Sequence, residues 1–81
     1  MQLNIISPEK KQNFTIVWLE VQTTRGSFVI QEGHAPLILL LKSNESIVFR
    51  LKTGKQESVM VEYGIIEIDR KQATVIINKK E

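Results

Sequence analysis

The sequence predicts an all-β fold, a small sandwich or barrel, on three observations. Helical periodicity is nearly absent along the 81 residues. Short runs that alternate apolar with polar, or stay apolar and β-branched throughout, recur between turn signals. The third observation is a single corner. Gly33-His34-Ala35-Pro36-Leu37 follows Gly26-Ser27-Phe28-Val29-Ile30 with only Gln31 and Glu32 between, so glycine, histidine and proline share one short connection between two strands.

Residues 3–6 read as a first strand, closed by Ser7-Pro8 because proline cannot donate to a ladder. Residues 14–22 form a second, longer strand. Within it the apolar parity shifts from Phe14, Ile16 and Trp18 to Val17, Leu19 and Val21, as either a bulge or a strand apolar on both faces would produce. Thr23-Thr24-Arg25-Gly26 is a turn, Phe28-Val29-Ile30 a short strand and 31–35 the corner. Residues 37–42 form the next strand, with an unbroken apolar run from Leu37 to Leu41. Ser43-Asn44-Glu45 turns the chain into 47–51. Lys52-Thr53-Gly54-Lys55 then makes a hairpin connection to 58–63, the glycine supplying positive φ at little cost. Gly64 is expected to interrupt that run. Residues 65–68 and 73–77 pair last, around Asp69-Arg70-Lys71-Gln72. The expected count is about eight strands, or ten where the long ones break, in one domain spanning residues 1–81.

A chain of 81 residues, 42% apolar, builds one core and buries about 60–65% of the surface its unfolded form exposes. It has no cysteine, so burial and strand pairing must hold the fold without disulfides or thiolate metal sites. Met1-Gln2-Leu3 enters Ile5-Ile6 without a basic region or cleavage site, and the mature chain is expected to start there. The longest stretch free of Lys, Arg, Asp and Glu is nine residues, from Gly33 to Leu41, against the ~20 a spanning helix needs, so a soluble protein is expected. Eleven basic and nine acidic residues give a net charge of +2. The basic residues, among them Lys10-Lys11, Arg50, Lys52, Arg70-Lys71 and Lys79-Lys80, are dispersed with acids between them, as on a solvated surface.

Catalysis is not expected. His34 is the only histidine, with no cysteine, no serine nucleophile motif and no paired carboxylates to position against it. A metal site would need further imidazoles or a carboxylate cluster, and Gly26, Gly33, Gly54 and Gly64 are too scattered to cradle a phosphate. His34 has two readings: a turn imidazole that bonds a nearby carbonyl, or a side chain facing a partner subunit. Trp18 is either core or an interface anchor. Met60 and Phe49 read as core. The stretches 37–41, 59–61 and 75–77 carry apolar side chains on both faces of the pleat, so either the sheets cover more than is evident or one outer face meets a partner. A nucleic-acid-binding barrel of the OB or cold-shock type is the alternative. Such modules stack bases on clustered aromatics, whereas Phe14, Trp18, Phe28, Phe49 and Tyr63 are dispersed.

From end to end the chain resembles the amino-terminal β-sandwich domain of the epsilon subunit of bacterial F-type ATP synthase, equivalent to the mitochondrial delta subunit. The likeness rests on Leu3-Asn4-Ile5-Ile6-Ser7-Pro8-Glu9-Lys10, on Gly26-Ser27-Phe28-Val29-Ile30 followed by Gly33-His34-Ala35-Pro36-Leu37, and on Tyr63-Gly64-Ile65-Ile66-Glu67-Ile68 with Ala73-Thr74-Val75-Ile76-Ile77. The central pair is the specific element. The resemblance implies a two-sheet β-sandwich of about ten short strands, low on the rotating central stalk. One side would lie on the gamma shaft and one end on the polar loops of the membrane c-ring. The implied work is mechanical: coupling c-ring rotation to the gamma shaft in proton-driven ATP synthesis, without catalysis or cofactor. The implied location is the cytoplasmic face of the bacterial plasma membrane, membrane-associated only through the complex.

The interface residues implied are Gly26, Ser27, Phe28, Gly33, His34, Ala35, Pro36 and Leu37. Ser27 stands where the family often has an acid, Val17 and Trp18 stand where polar residues are common, and the connection between Lys10 and Ile16 is shorter than usual. The helical hairpin that ordinarily follows has no counterpart after Glu81; coupling without that mode of inhibition is the expectation if the natural chain ends there, and is left open if it does not.

Overall fold

Among the described residues strand succeeds strand without a helix: β1 (Gln2–Ile6), β2 (Lys11–Thr23), β3 (Gly26–Gln31), β4 (Leu37–Leu40), β5 (Glu45–Leu51), β6 (Gln56–Val61), β7 (Tyr63–Ile68) and β8 (Gln72–Asn78). The computed structural model describes residues 1–78; Lys79, Lys80 and Glu81, including the last basic pair noted above, lie outside the described residues. One sheet has the order β4-β7-β8-β1-β2, the other β3-β2-β5-β6. All neighbours are antiparallel except β1 and β8, which run parallel at the middle of the first sheet. The sandwich holds eight strands rather than ten because β2 passes between the sheets unbroken, and Leu41 pairs only through an isolated bridge to Thr23.

β2 belongs to both sheets, and its bulge makes that possible. Its first part pairs with β1 and its second with β3 and β5. The register against β5 shifts between Ile16 and Trp18. Before the shift Phe14 and Ile16 face the core; after it Leu19, Val21 and Thr23 do. Of the two readings of the parity change the bulge is therefore correct, one extra residue re-aiming the strand. Thr23, the one buried polar residue among the described residues, is satisfied locally: its Oγ1 donates to the Gly26 carbonyl at 2.9 Å and accepts from Arg25 N–H at 3.0 Å.

Leu3, Ile5, Leu39, Ile66, Ile68, Ala73, Val75 and Ile77 from one sheet meet Leu19, Val21, Ile30, Ile47, Phe49 and Val61 from the other. Phe49 stacks obliquely on Phe14 with centroids 5.0 Å apart. Met60 does not join them. It is 56% exposed, because Val59 and Val61 take the inward parity of β6. Trp18 is half-buried on the outer face of the second sheet, opposite Gln31 and Arg50.

Gly64 lies inside β7 instead of breaking it; the chain bends at Glu62, where β6 ends and β7 begins in the other sheet. Glycine is required there for closeness, since a Cβ would stand 2.5 Å from the Ile76 carbonyl oxygen of β8. The β7–β8 turn is held by Asp69, whose Oδ1 accepts from Lys71 N–H at 2.8 Å and Gln72 N–H at 2.9 Å. The Lys71 bond foremost, then that from Gln72, holds this exposed carboxyl below its ordinary pKa.

Gly64→Ala is expected to destabilise by about 2–3 kcal/mol through the clash with β8, measured as a lowered midpoint in urea. Phe49→Ala should cost about 3–5 kcal/mol, whereas Met60→Ala at its exposed site should stay within about 0.5 kcal/mol. Because the folded Asp69 carboxyl is the stronger acid, its contribution is present at neutral pH and is lost as pH falls through its folded pKa. Urea melts of wild type and Asp69→Ala should therefore differ at neutral pH and converge below the ordinary aspartate range, at about pH 2.

Candidate partner interface

The corner after β3 is built by backbone rules. His34 N–H donates to the Gln31 carbonyl at 3.2 Å, closing a four-residue turn whose third position, Gly33, sits at φ +88°. Only glycine takes that conformation cheaply. Gly33 N–H reaches the Arg70 carbonyl at 3.0 Å and ties the corner to the β7–β8 turn. Pro36 lacks a donor and biases Ala35 to extended backbone, delivering the chain into β4. His34 is half-buried, and its Nδ1 donates to the Ala35 carbonyl at 2.8 Å. The imidazole thus bonds a nearby carbonyl, the first of its two readings, while Nε2 makes no hydrogen bond among the described residues.

Gly26, Ser27 and Phe28 lie at the far end of β3, about 17 Å from the corner at ~3.4 Å per residue. Gly26, at φ +117°, lets β3 leave the Thr24-Arg25 turn, and Ser27 Oγ donates to Gln22 Oε1 at 2.5 Å. The eight expected interface residues therefore form two clusters at opposite ends, not one site. Ser27, Gly33, Ala35 and Pro36 are exposed; Phe28 and Leu37 are half-buried and pack against the core.

A third surface was foreshadowed in the sequence only as an apolar surplus. On the outer face of the first sheet, cross-strand register sets Leu40 opposite Ile65, Ile65 opposite Ile76 and Ile76 opposite Ile6. The result is an aliphatic row across four strands. Ile38 and Tyr63 flank it, and Ile38 and Leu40 are the most exposed of the large apolar side chains, at 64% and 67%. Both-face apolar runs at 37–41 and 75–77 were the signal, but their alignment depends on register, which the sequence does not spell out. A groove of about 350 Å³ runs from Thr23, Thr24 and Arg25 along Leu37–Leu40, linking the β2–β3 turn to the edge of this face.

No group of three metal-ligating side chains exists among the described residues, and no helix is long and apolar enough to cross a membrane. Phe14 and Phe49 are paired in the interior, Trp18 and Tyr63 lie on different sheets, and no aromatic platform for stacking bases is assembled.

The chain is 34% identical over 77 residues to an ATP synthase epsilon chain of Psychrobacter arcticus, covering 94% of this chain and 55% of that relative. The chain thus spans about half the length of the relative it matches. Its fold matches a chain in the central stalk and c-ring structure of the Tetrahymena thermophila mitochondrial ATP synthase, with TM-score 0.81 and 16% identity over 98% of this chain and 63% of that one. It also matches a chain in the OSCP/F1/c-ring structure of the Euglena gracilis mitochondrial ATP synthase, with TM-score 0.84 and 11% identity over 95% and 49%. The family model for the β-sandwich domain of the ATP synthase delta/epsilon chain matches residues 1–81, and the chain belongs to that family.

Proposed function

We propose that this domain is a non-catalytic rotor element of the central stalk of an F-type ATP synthase, coupling c-ring rotation to the gamma shaft, peripheral to a bacterial plasma membrane on its cytoplasmic side. The observation that carries the reading is the aliphatic row Leu40-Ile65-Ile76-Ile6, exposed along its first three members and half-buried at Ile6, on a domain of this family. A half-covered sandwich with such a row gains stability from a second polypeptide laid over it.

The division of the surface supports two partners. The outer face of the first sheet, with Gly33, His34, Ala35, Pro36 and Leu37 at its margin, has the apolar character to hold the gamma subunit. The opposite turn, with Thr24, Arg25, Gly26 and Ser27, is polar and suits the polar loops of the c-ring. Phe28 anchors that turn from beneath. Separation along β3 lets both be engaged at once, and the continuous hydrogen-bonded sheets between them carry load from one to the other.

Mixed with the gamma subunit of the same complex at about 10 µM, the domain should co-elute from a sizing column. Leu40→Asp should weaken that association by about 30-fold or more while leaving the thermal midpoint nearly unchanged. Separate elution of both folded wild-type proteins would overturn the reading.

A further inference from the structure

β3 is an edge of the second sheet, and it carries none of the devices that usually blunt an edge. Gly26–Gln31 holds no charge, proline or bulge. Which of its backbone groups are free follows from β2. The Gln22 carbonyl accepts from Lys42 N–H, so Gln22, Glu20 and Trp18 direct their backbones away from β3, while Leu19, Val21 and Thr23 direct theirs toward it. Their partners Ile30, Phe28 and Gly26 are thereby satisfied, and Ser27, Val29 and Gln31 turn their N–H and C=O groups outward. Only the Gln31 carbonyl is occupied, by His34 N–H.

We propose that this edge is a strand-addition site whose occupant is β3 of a second copy of the chain, antiparallel about a two-fold axis through Val29. The strand is complementary to itself in that register. Val29 N–H and C=O meet those of the second copy's Val29, and Gln31 N–H meets the second copy's Ser27 carbonyl. On the outer face Ser27 lies across from Gln31, polar against polar. On the inner face Phe28 lies across from Ile30, apolar against apolar.

The flanking charges select the same arrangement. Arg25 precedes the strand and Glu32 follows it; antiparallel pairing brings Arg25 of each copy beside Glu32 of the other, and parallel pairing would set like charges together. Arg25 makes no ion pair among the described residues, and the Glu32 carboxylate, 3.4 Å from the Met1 ammonium, is otherwise exposed. A single strand pair is a small interface, so the dimer is a weak one. It goes beyond the rotor reading and does not depend on it, but it occupies Gly26 and Ser27, so the paired form is incompatible with the c-ring contact proposed above.

Sedimentation velocity on the 81-residue chain from about 10 µM to about 1 mM at low salt should show a concentration-dependent shift to twice the monomer mass. Hydrogen exchange at the Ser27 and Val29 amides should slow over the same range. Val29→Pro deletes the central donor without touching the β2 ladder and should abolish the shift. Arg25→Glu should weaken it about fivefold, and Arg25→Glu with Glu32→Arg should restore it, which keeps the test decisive if the proline variant folds poorly. A chain that stays monomeric to 1 mM overturns the proposal, as does a dimer indifferent to both Val29→Pro and Arg25→Glu. A dimer lost instead on Leu40→Asp would assign self-association to the aliphatic face and overturn the edge.

Discussion

The bulge at Ile16 and Trp18 is the constraint on which the rest of the architecture depends. A strand has a two-residue period and the apolar residues of β2 change parity along it, so without an extra residue β2 would turn its apolar side inward in only one of the two sheets it joins. The inserted residue reverses the parity, and a single segment supplies Phe14 and Ile16 before it and Leu19 and Val21 after it. Without that reversal Leu19 and Val21 would face water, and the second sheet would lose the strand that both β3 and β5 pair with.

Once β2 is shared, the distribution of apolar surface follows. Among the described residues each sheet is covered on one side only, by the other. On the second sheet the outward positions are largely polar, with Gln22, Ser27, Gln31 and Ser58 among them. On the first they are aliphatic along one row across four of its five strands. The asymmetry leaves apolar area in water on an isolated domain, and covering it is what the proposed partner would contribute.

Much of this was legible in the residues. Turn chemistry placed most of the connections: Gly54 and Gly33 have the positive φ their turns require, and Asp69 nucleates its turn through side-chain bonds to the backbone. What was not legible depended on contacts distant in sequence. Gly64 looked like a breaker, because the Ile76 carbonyl that excludes a side chain there belongs to another strand. Met60 looked like core because it is apolar between two valines, and only its position in the pleat exposes it. The interface residues came from two separate elements, the turn before β3 and the corner after it, and an extended strand carries them apart at the greatest rate a polypeptide allows.

β8 lies between β7 and β1, so the first sheet has a gap at its centre until the residues up to Asn78 can join it. During synthesis the emerging polypeptide therefore cannot acquire its native topology in steps from the amino terminus; β1 waits for a parallel companion encoded some seventy residues later. Closure over so long a span is slow, on the order of milliseconds to seconds for such topologies, and leaves aliphatic segments unprotected meanwhile. Until β8 is available, the aliphatic segments of β1 and β7 lack their central neighbour and stay open to premature association.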